Sequence, residues 1–555
     1  MEAGLEGTNK ALSLARGTRS GPLLEETIGA NLDRTVERFG EREALVSRAQ
    51  ELRFTYAELG AAVDGLARGL IAAGLQRGDR VGIWSPNCAE WVLVQYATAK
   101  VGVILVNINP AYRTSELEYA LHQSGCRLLI AAPQFKTSDY RAMVGEARGT
   151  LPELERVVFL DGEDWEQLLA GGADVGEGEL RARSAELTPE DPINIQYTSG
   201  TTGFPKGATL THRNILNNGF FIGEGCRYSE QDRVCIPVPF YHCFGMVLGN
   251  LACTTHGAAI VIPAPAFEPE ATLAAVAAER CTALYGVPTM FIAQLDHPRF
   301  GDFRLESLRT GIMAGSPCPV EVMKRVIDRM HMTEVAICYG MTETSPVSTQ
   351  TAVDDLLEKR VGTVGRVHPH IEVKIVDPDS GETIARGESG ELCTRGYSVM
   401  SGYWNDPERT AEVIDGERWM HTGDLATMDS EGYVNIVGRI KDMVIRGGEN
   451  VYPREVEEFL FSHPDVADVQ VVGVPDERYG EELMAWVIPR GGSRPEPEEL
   501  REFCRGKIAH YKIPRYFKLV DEFPMTVTGK VQKFKLRERA IDELGLGASA
   551  SVQTA

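Results

Sequence analysis

Apolar and polar positions change their spacing more than once along this 555-residue chain, and each change marks a different kind of structure. From residue 79 to about 339, short runs of Val, Ile and Leu alternate with stretches whose apolar residues recur at helical spacing. Arg80-Val81-Gly82-Ile83-Trp84 predicts a strand, Glu90-Trp91-Val92-Leu93 a helix, Val103-Ile104-Leu105-Val106 a strand and Ser115-Glu116-Leu117 a helix. Alternation of this kind builds a doubly wound α/β sheet. It resumes after a Gly/Glu-rich connector at residues 171–178, with strands expected at 233–236, 259–262, 282–285 and 310–313. Two sheet units are therefore expected.

The pattern then breaks. From residue 362 to 437 the helical spacing disappears, and short strands separated by Asp-Pro-Asp-Ser-Gly and Asp-Ser-Glu-Gly turns predict a small β-barrel or distorted sheet. Past Gly438 it changes again. Residues 453–461 predict a helix with Pro453 in its first turn and Val456, Phe459 and Leu460 on one face, and residues 469–472 and 482–487 predict strands. The chain is thus read as α/β with a large N-terminal domain, residues 1–438, followed by a small α+β domain. Its Ala/Ser tail from Gly547 is expected to fray.

Composition narrows the function classes. At 43% hydrophobic and 25% charged the chain is globular, and a formal charge of −22 argues against nucleic acid or an anionic membrane as a bulk partner. A local basic site for phosphates remains open. The eleven cysteines show neither a C-x-x-C pair nor metal-ligand spacing, which fits reduced thiols in the cytoplasm. No apolar run reaches the roughly 20 residues of a membrane span. The first residues, Met1-Glu2-Ala3-Gly4-Leu5-Glu6, lack a secretory pattern; Glu2 and Glu6 oppose a mitochondrial transit segment, whereas Lys10, Arg16 and Arg19 leave the matrix open. Monomer and homodimer are both compatible with this composition.

Against that background one stretch stands out chemically: Tyr197-Thr198-Ser199-Gly200-Thr201-Thr202-Gly203-Phe204-Pro205-Lys206-Gly207. Residues 193–197 predict a strand before it and Thr211-His212-Arg213-Asn214 a helix start after it, so the loop falls at a strand end, where α/β sheets bind ligands. Glycines let backbone N–H groups approach phosphate oxygens, hydroxyls such as that of Thr198 donate hydrogen bonds or reach a Mg²⁺, and Lys206 supplies a point charge. An ordinary polar turn uses the same residue types, but seldom in so constrained an order. The stretch predicts a nucleotide triphosphate site. It is not the G-x-x-x-x-G-K-[ST] loop, because Lys206 follows Pro205 and precedes Gly207.

The loop resembles the phosphate-binding signature of adenylate-forming enzymes, the superfamily of acyl-CoA synthetases, peptide-synthetase adenylation domains and luciferases. Further motifs of that family follow in order, and the resemblance extends from about residue 25 to 542. In Cys338-Tyr339-Gly340-Met341-Thr342-Glu343 it implies that Tyr339 stacks on adenine, Thr342 contacts the α-phosphate and Glu343 helps to hold Mg²⁺. Ala314-Gly315-Ser316-Pro317 would line the other side of adenine, and Asp424 and Arg439 would grip the ribose hydroxyls. Lys530, in Pro524-Met525-Thr526-Val527-Thr528-Gly529-Lys530, would carry the cation of the adenylation step.

For the second half of the reaction the resemblance implies a hinge at 439–441, centred on Lys441, and a lid, residues 442–555, that rotates after adenylation. Rotation would withdraw Lys530 and present Arg446, Gly447, Gly448 and Glu449 to a pantetheine thiol. His242 would border the acyl carboxylate, and Phe244, Gly245, Met246 and Gly249, together with Gly315, would line the acyl pocket. One departure is visible: Ile337-Cys338 precedes Tyr339 where many relatives carry a polar residue, so main-chain carbonyls would have to read the adenine amine.

The match is closest in character to medium-chain fatty acyl-CoA synthetases, in the segment from Val437 to Asn450 and in Tyr511-Lys512-Ile513-Pro514. It implies an acid–thiol ligase with ATP, Mg²⁺ and CoA: a carboxylate and ATP give acyl-AMP and pyrophosphate, then CoA displaces AMP. Four other readings stay open at this level. They are an acyl-AMP ligase that loads a carrier protein's pantetheine, a long-chain or aryl-acid CoA ligase, a luciferase-like oxygenase, and a non-catalytic nucleotide-binding protein.

Overall fold

The structure is a computed structural model that describes residues 11–19, 21–198, 205–316, 318–447, 449–476, 478–526 and 530–546. The chain forms two compact units, a larger one within residues 15–373 and 394–421 and a smaller one that takes in the described residues of 11–14, 374–393 and 422–546.

The larger unit is built on two mixed sheets. The first has the order Gly402–Tyr403, Lys206–Thr211, Pro192–Thr198, Ile104–Asn107, Arg80–Trp84, Leu128–Ala131, Arg156–Phe159. Its last five strands are parallel. Residues 104–107 and 128–131 are buried throughout, as expected of strands covered on both faces, and this is why 104–106 and 128–131 read as unbroken apolar runs. Strand order grows outward in both directions from Arg80–Trp84, which makes that strand the switch point of a doubly wound sheet. In the second sheet six parallel strands, Glu334–Gly340, Thr310–Met313, Ala283–Gly286, Arg233–Cys235, Ala259–Ile262 and Glu43–Ser47, lie between antiparallel ones. The two doubly wound sheets expected from the alternation are present.

Local chemistry sets the helix ends. Tyr56–Ala72 begins with a capping box in which Thr55 Oγ1 accepts from the Glu58 N–H at 3.2 Å and Glu58 accepts from the Thr55 N–H at 2.8 Å. Ala89–Val101 is buried on nearly every side and stops at Gly102, which adopts the left-handed conformation.

Three local expectations are corrected. The phosphate-loop stretch is followed by a strand, Lys206–Thr211, before the helix His212–Gly225 begins, so its flanks form an antiparallel pair with Tyr197 opposite Gly207 and Thr198 opposite Lys206. With Leu210 as its single large apolar side chain, that strand has too little alternation to announce itself. The Gly/Glu-rich connector is largely ordered, as a 3₁₀ turn at Gly172–Asp174 and the start of the helix Glu177–Ala185. The strand-rich stretch from 362 to 437 contains one helix, Pro407–Val413, started by Pro407 and capped by Asp406, whose carboxylate accepts from the Arg409 N–H at 3.1 Å.

In the smaller unit the helix Pro453–Phe461 buries Val456 and Leu460, as its apolar face predicts. Strands Val466–Asp476 and Gly480–Pro489 run antiparallel, and Tyr516–Leu519 joins the second in parallel. One apolar cluster gathers Val444, Val456, Leu460, Val471 and Leu500, and another gathers Val474, Trp486, Phe523, Leu536 and Ala540. Among the described residues no helix is long and apolar enough to cross a membrane.

Two histidines of the larger unit are wholly buried and neutral. Burial pushes His212 down to about 3 and His368 to about 4, while an unfolded chain returns both to about 6.5. Between those values the unfolded state holds more protons, so stability falls as pH drops below 6.5, by about 1.4 kcal/mol per pH unit for each histidine. We expect urea midpoints to fall steeply from pH 7 to pH 5 and the slope to shrink in His212→Asn; an unchanged slope would show that His212 does not drive it.

Candidate active site

The hairpin that flanks the phosphate-loop stretch meets two other parts of the larger unit at a buried carboxylate. Glu343 lies in a 3₁₀ turn, Thr342–Thr344, just beyond the strand Glu334–Gly340, and is 5% exposed. A carboxylate in that setting needs donors, since an unpaired buried charge is costly. Tyr403 supplies one, its hydroxyl donating to Glu343 Oε1 at 2.9 Å, and Thr198 Oγ1 approaches the same oxygen at 3.4 Å. Lys206 completes the group with its ammonium 4.6 Å from the centre of the Tyr403 ring, within cation–π range. Burial first, and then the Glu343 carboxylate, hold the Tyr403 phenol well above its usual range, so it stays a donor.

Thr198, Lys206, Thr342 and Glu343, predicted separately, are therefore gathered in one place. Tyr403 was missed. It is 60 residues from Glu343 in sequence and reaches it because Gly402–Tyr403 pairs with Lys206–Thr211, with Ala208 opposite Tyr403. Its Ser-Gly-Tyr-Trp context carries no spacing signal for that role. A threonine hydroxyl beside a buried carboxylate offers the hard oxygen donors that Mg²⁺ takes, so the residues present fit that ion. Ser199, Gly200, Thr201, Thr202, Gly203, Pro317 and Gly448 lie outside the described residues.

Tyr339 is half-buried near the end of its strand, opposite Thr349, and Cys338 beside it is 8% exposed, with a thiol that burial pushes upward. Gly340 and Met341 lead from there to Glu343, and Gly315 and Ser316 follow the neighbouring strand Thr310–Met313. His242 is half-buried immediately before a π-helical segment, Phe244–Leu251, and its Nδ1 accepts from the Phe244 N–H at 3.2 Å. The predicted helical run is thus present but wound more widely, a form frequent at functional sites. Phe244, Met246 and Gly249 are buried within it. A Cβ on Gly245 would come within 2.3 Å of the Pro239 carbonyl oxygen, and one on Gly249 within 2.7 Å of Ile236, so close packing of protein accounts for both glycines.

The remaining predicted residues belong to the smaller unit. Asp424 and Arg439 face each other across the hairpin Met420–Met428 and Val434–Arg439, with Arg439 Nε donating to Asp424 Oδ1 at 3.1 Å. Lys441 lies in a 3₁₀ turn, Ile440–Asp442, directly after that strand. Lys530 is exposed; its carbonyl accepts from the Thr526 N–H at 2.7 Å, and its N–H donates to Thr526 Oγ1 at 3.0 Å.

Arg446 and Glu449 oppose each other in the short hairpin Val444–Arg446 and Glu449–Val451. Arg446 Nε donates to Glu482 Oε1 at 2.7 Å, and its Nη1 donates to the Tyr511 carbonyl at 2.9 Å. The side chain of Glu482 is 1% exposed, a partner that the sequence did not disclose. Gly447 adopts φ +63°, a left-handed turn that favours glycine, and its N–H donates to the Tyr479 carbonyl. A cavity of about 550 Å³ is lined by Arg446, Asp476, Arg478, Tyr479, Arg515 and Tyr516, among others.

A hydroxyl–carboxylate cluster, flanked by a lysine, thus lies at the edge of an α/β sheet. Comparison with known proteins identifies the family. Residues 32–404 match the model of the AMP-binding enzyme family and residues 455–530 that of the AMP-binding enzyme C-terminal domain. The chain is 45% identical over 554 residues to the mitochondrial medium-chain acyl-CoA ligase ACSF2 of Danio rerio, covering 96% of this chain and 91% of that protein. The mitochondrial medium-chain acyl-CoA ligase ACSF2 of Homo sapiens is 43% identical over 558 residues, with the same coverage. Among solved structures, the anthranilate CoA ligase AuaEII in complex with anthranoyl-AMP superposes with a TM-score of 0.83 at 27% identity, covering 95% of this chain and 99% of that one. The chain belongs to the AMP-binding enzyme family.

The Arg446–Glu482 pair generates a stability prediction. Removing one partner of a buried ion pair leaves the other charge uncompensated, typically at a cost of about 3–5 kcal/mol. Arg446→Met should lower the urea midpoint of the smaller unit accordingly, and Glu482→Gln less so. Equal, small shifts in both variants would show that water reaches the pair.

Proposed function

We propose that this protein is an AMP-forming acid–thiol ligase that converts a fatty, medium-chain carboxylate, ATP and CoA into acyl-CoA, AMP and pyrophosphate. The observation that carries the reading is the buried Glu343 beside Thr198, Tyr403 and Lys206, in a chain 45% identical to a medium-chain acyl-CoA ligase over nearly its full length. In the first half-reaction the acid's carboxylate oxygen attacks the α-phosphorus, the bond from α-phosphorus to the bridging oxygen breaks, and pyrophosphate leaves. Two anions approach each other in that step. Lys530 stabilises the charge that develops between them, and loss of such a group typically costs on the order of 100-fold or more.

Thr198, with the described loop flank at Lys206, holds the β- and γ-phosphate side, and Thr342 the α-phosphate. Tyr339 stacks on adenine beside Gly315, and Asp424 and Arg439 hold the ribose. Thr198 and Glu343 would hold Mg²⁺, which when bound neutralises phosphate charge. His242 borders the acyl carboxylate, ahead of the apolar segment that contains Phe244 and Met246.

In the second half-reaction a pantetheine thiolate attacks the acyl carbonyl and AMP departs, so no covalent enzyme intermediate is required. Residues 442 onward act as a lid that turns about Lys441 and brings Arg446 to Glu449 to the thiol. Arg446, Arg478 and Arg515 around the 550 Å³ cavity suit the phosphates of CoA, since guanidinium groups bind phosphate oxygens in bidentate fashion. Free thiols at all eleven cysteines suit a reducing compartment, the cytoplasm; relatives named mitochondrial make the matrix the second reading.

Pyrophosphate release across C2 to C18 and aryl acids, with and without CoA, tests the reaction. We expect the highest kcat/KM with medium-chain acids and acyl-CoA formation in step with pyrophosphate; pyrophosphate without acyl-CoA would replace free CoA by a carrier-bound thiol. A second measurement separates the half-reactions. Lys530→Ala should abolish acyl-AMP formation yet convert supplied acyl-AMP to acyl-CoA at a rate close to wild type, and equal loss of both would remove Lys530 from the assigned role.

A further inference from the structure

Beneath the phosphate-side strand lies a buried run of amides that the reaction described above does not use. Gln196, Asn194 and Asn107 are 3%, 1% and 2% exposed, and every side-chain N–H among them has an acceptor. The bonds run in one direction. The Cys243 thiol donates to Gln196 Oε1 at 3.0 Å, Gln196 Nε2 donates to Asn194 Oδ1 at 2.9 Å, and Asn194 Nδ2 donates to Asn107 Oδ1 at 2.9 Å. Asn107 Nδ2 then donates to the Tyr241 carbonyl at 2.9 Å. The chain of bonds therefore leaves residue 243 and returns to residue 241, one position on either side of His242. Met246 Sδ fills the centre, accepting from both Gln196 Nε2 and Asn107 Nδ2 at 3.1 Å.

The ring ties three pieces of chain together. Gln196 and Asn107 sit opposite each other on neighbouring parallel strands, and two residues past Gln196 is Thr198, which approaches Glu343. On the other side, residues 241 and 243 hold the turn that presents His242 and opens the π-helical segment. A hydrophobic core would fill the same space without specifying the register of the turn. Buried amides do specify it, because a shift of 1 Å leaves donors and acceptors unpaired, at about 1–3 kcal/mol each.

We propose that Asn107, Asn194, Gln196 and Cys243 form a positioning ring that sets the His242 turn, and with it the acyl carboxylate, against the strand that carries the phosphate side of the site. This rests on the ligase reading given above. Nucleophile and phosphorus must be aligned within about 3–3.5 Å for the displacement. The ring fixes one reactant's turn to the other reactant's strand, without touching either.

The test uses the full-length protein. Gln196→Met and Cys243→Ala should each raise the KM for the acid tenfold or more while the KM for ATP stays within twofold, and Cys243→Ser, which keeps a donor, should return the acid KM to within twofold of wild type. The double variant Gln196→Met/Cys243→Ala should be no worse than the poorer single one, because one broken ring cannot break twice. Amide hydrogen exchange over residues 239–246 should be faster in both single variants and unchanged in Cys243→Ser. Should Gln196→Met fail to fold, Cys243→Ala and its serine rescue decide. Equal shifts in both KM values, multiplicative losses in the double variant, or unaltered exchange at 239–246 would overturn the ring. A wild-type protein that consumed no ATP with any acid would overturn the ligase reading alone, since the exchange comparison decides the ring without turnover.

Discussion

The larger unit is organised around one carboxylate placed where little water reaches it. Glu343 is 5% exposed, and a polar group so placed is costly unless it is hydrogen-bonded. Its neighbours come from the edge of the other sheet: Thr198 on one strand and Tyr403 on another turn their hydroxyls to it, and Lys206 on the strand between them lies over the Tyr403 ring. Each reaches the cluster only in the observed strand register, since a slip of one residue would turn every side chain to the opposite face. The same edge therefore gathers two hydroxyls and a cation around the carboxylate.

The smaller unit solves a parallel problem with a different pair. Glu482 is buried on the long strand Gly480–Pro489, and Arg446 comes to it from a short hairpin whose turn includes Gly447. Guanidinium geometry lets one side chain bond Glu482 and the Tyr511 carbonyl together, which anchors that hairpin against its neighbours. The turn proposed for the thioester step is thus anchored by that charge pair. Likewise, in the larger unit, buried amides hold the turn bearing His242.

Parallel strands were the most legible elements, because burial on both faces leaves apolar runs such as Val81–Trp84 and Ala259–Ile262 with little ambiguity. Motif residues stood out for a different reason: Lys206, Glu343, Asp424, Arg439 and Lys530 sit in short, ordered sequence contexts that carry the family resemblance. What escaped was set by neighbours remote in the chain. The strand Lys206–Thr211 has its place because Pro192–Thr198 and Gly402–Tyr403 flank it, and the π-helical winding of Phe244–Leu251 has no periodicity distinct enough from an α-helix over eight residues. The helix Pro407–Val413 did carry a signal, Asp406-Pro407, that the surrounding turn-rich composition masked.

By itself, then, the sequence determined the α/β class and the family, because local periodicity and short ordered motifs depend on residues close together in the chain. Tertiary structure alone decided which side chain satisfies Glu343, what anchors Arg446, and how Gln196 and Asn107 close a ring with Cys243 and Tyr241. Those partners lie 60, 36, 47 and 134 residues apart in the chain. Only strand pairing and burial bring them within hydrogen-bonding distance, and no spacing rule read along one chain can anticipate which of many polar residues a fold will place there.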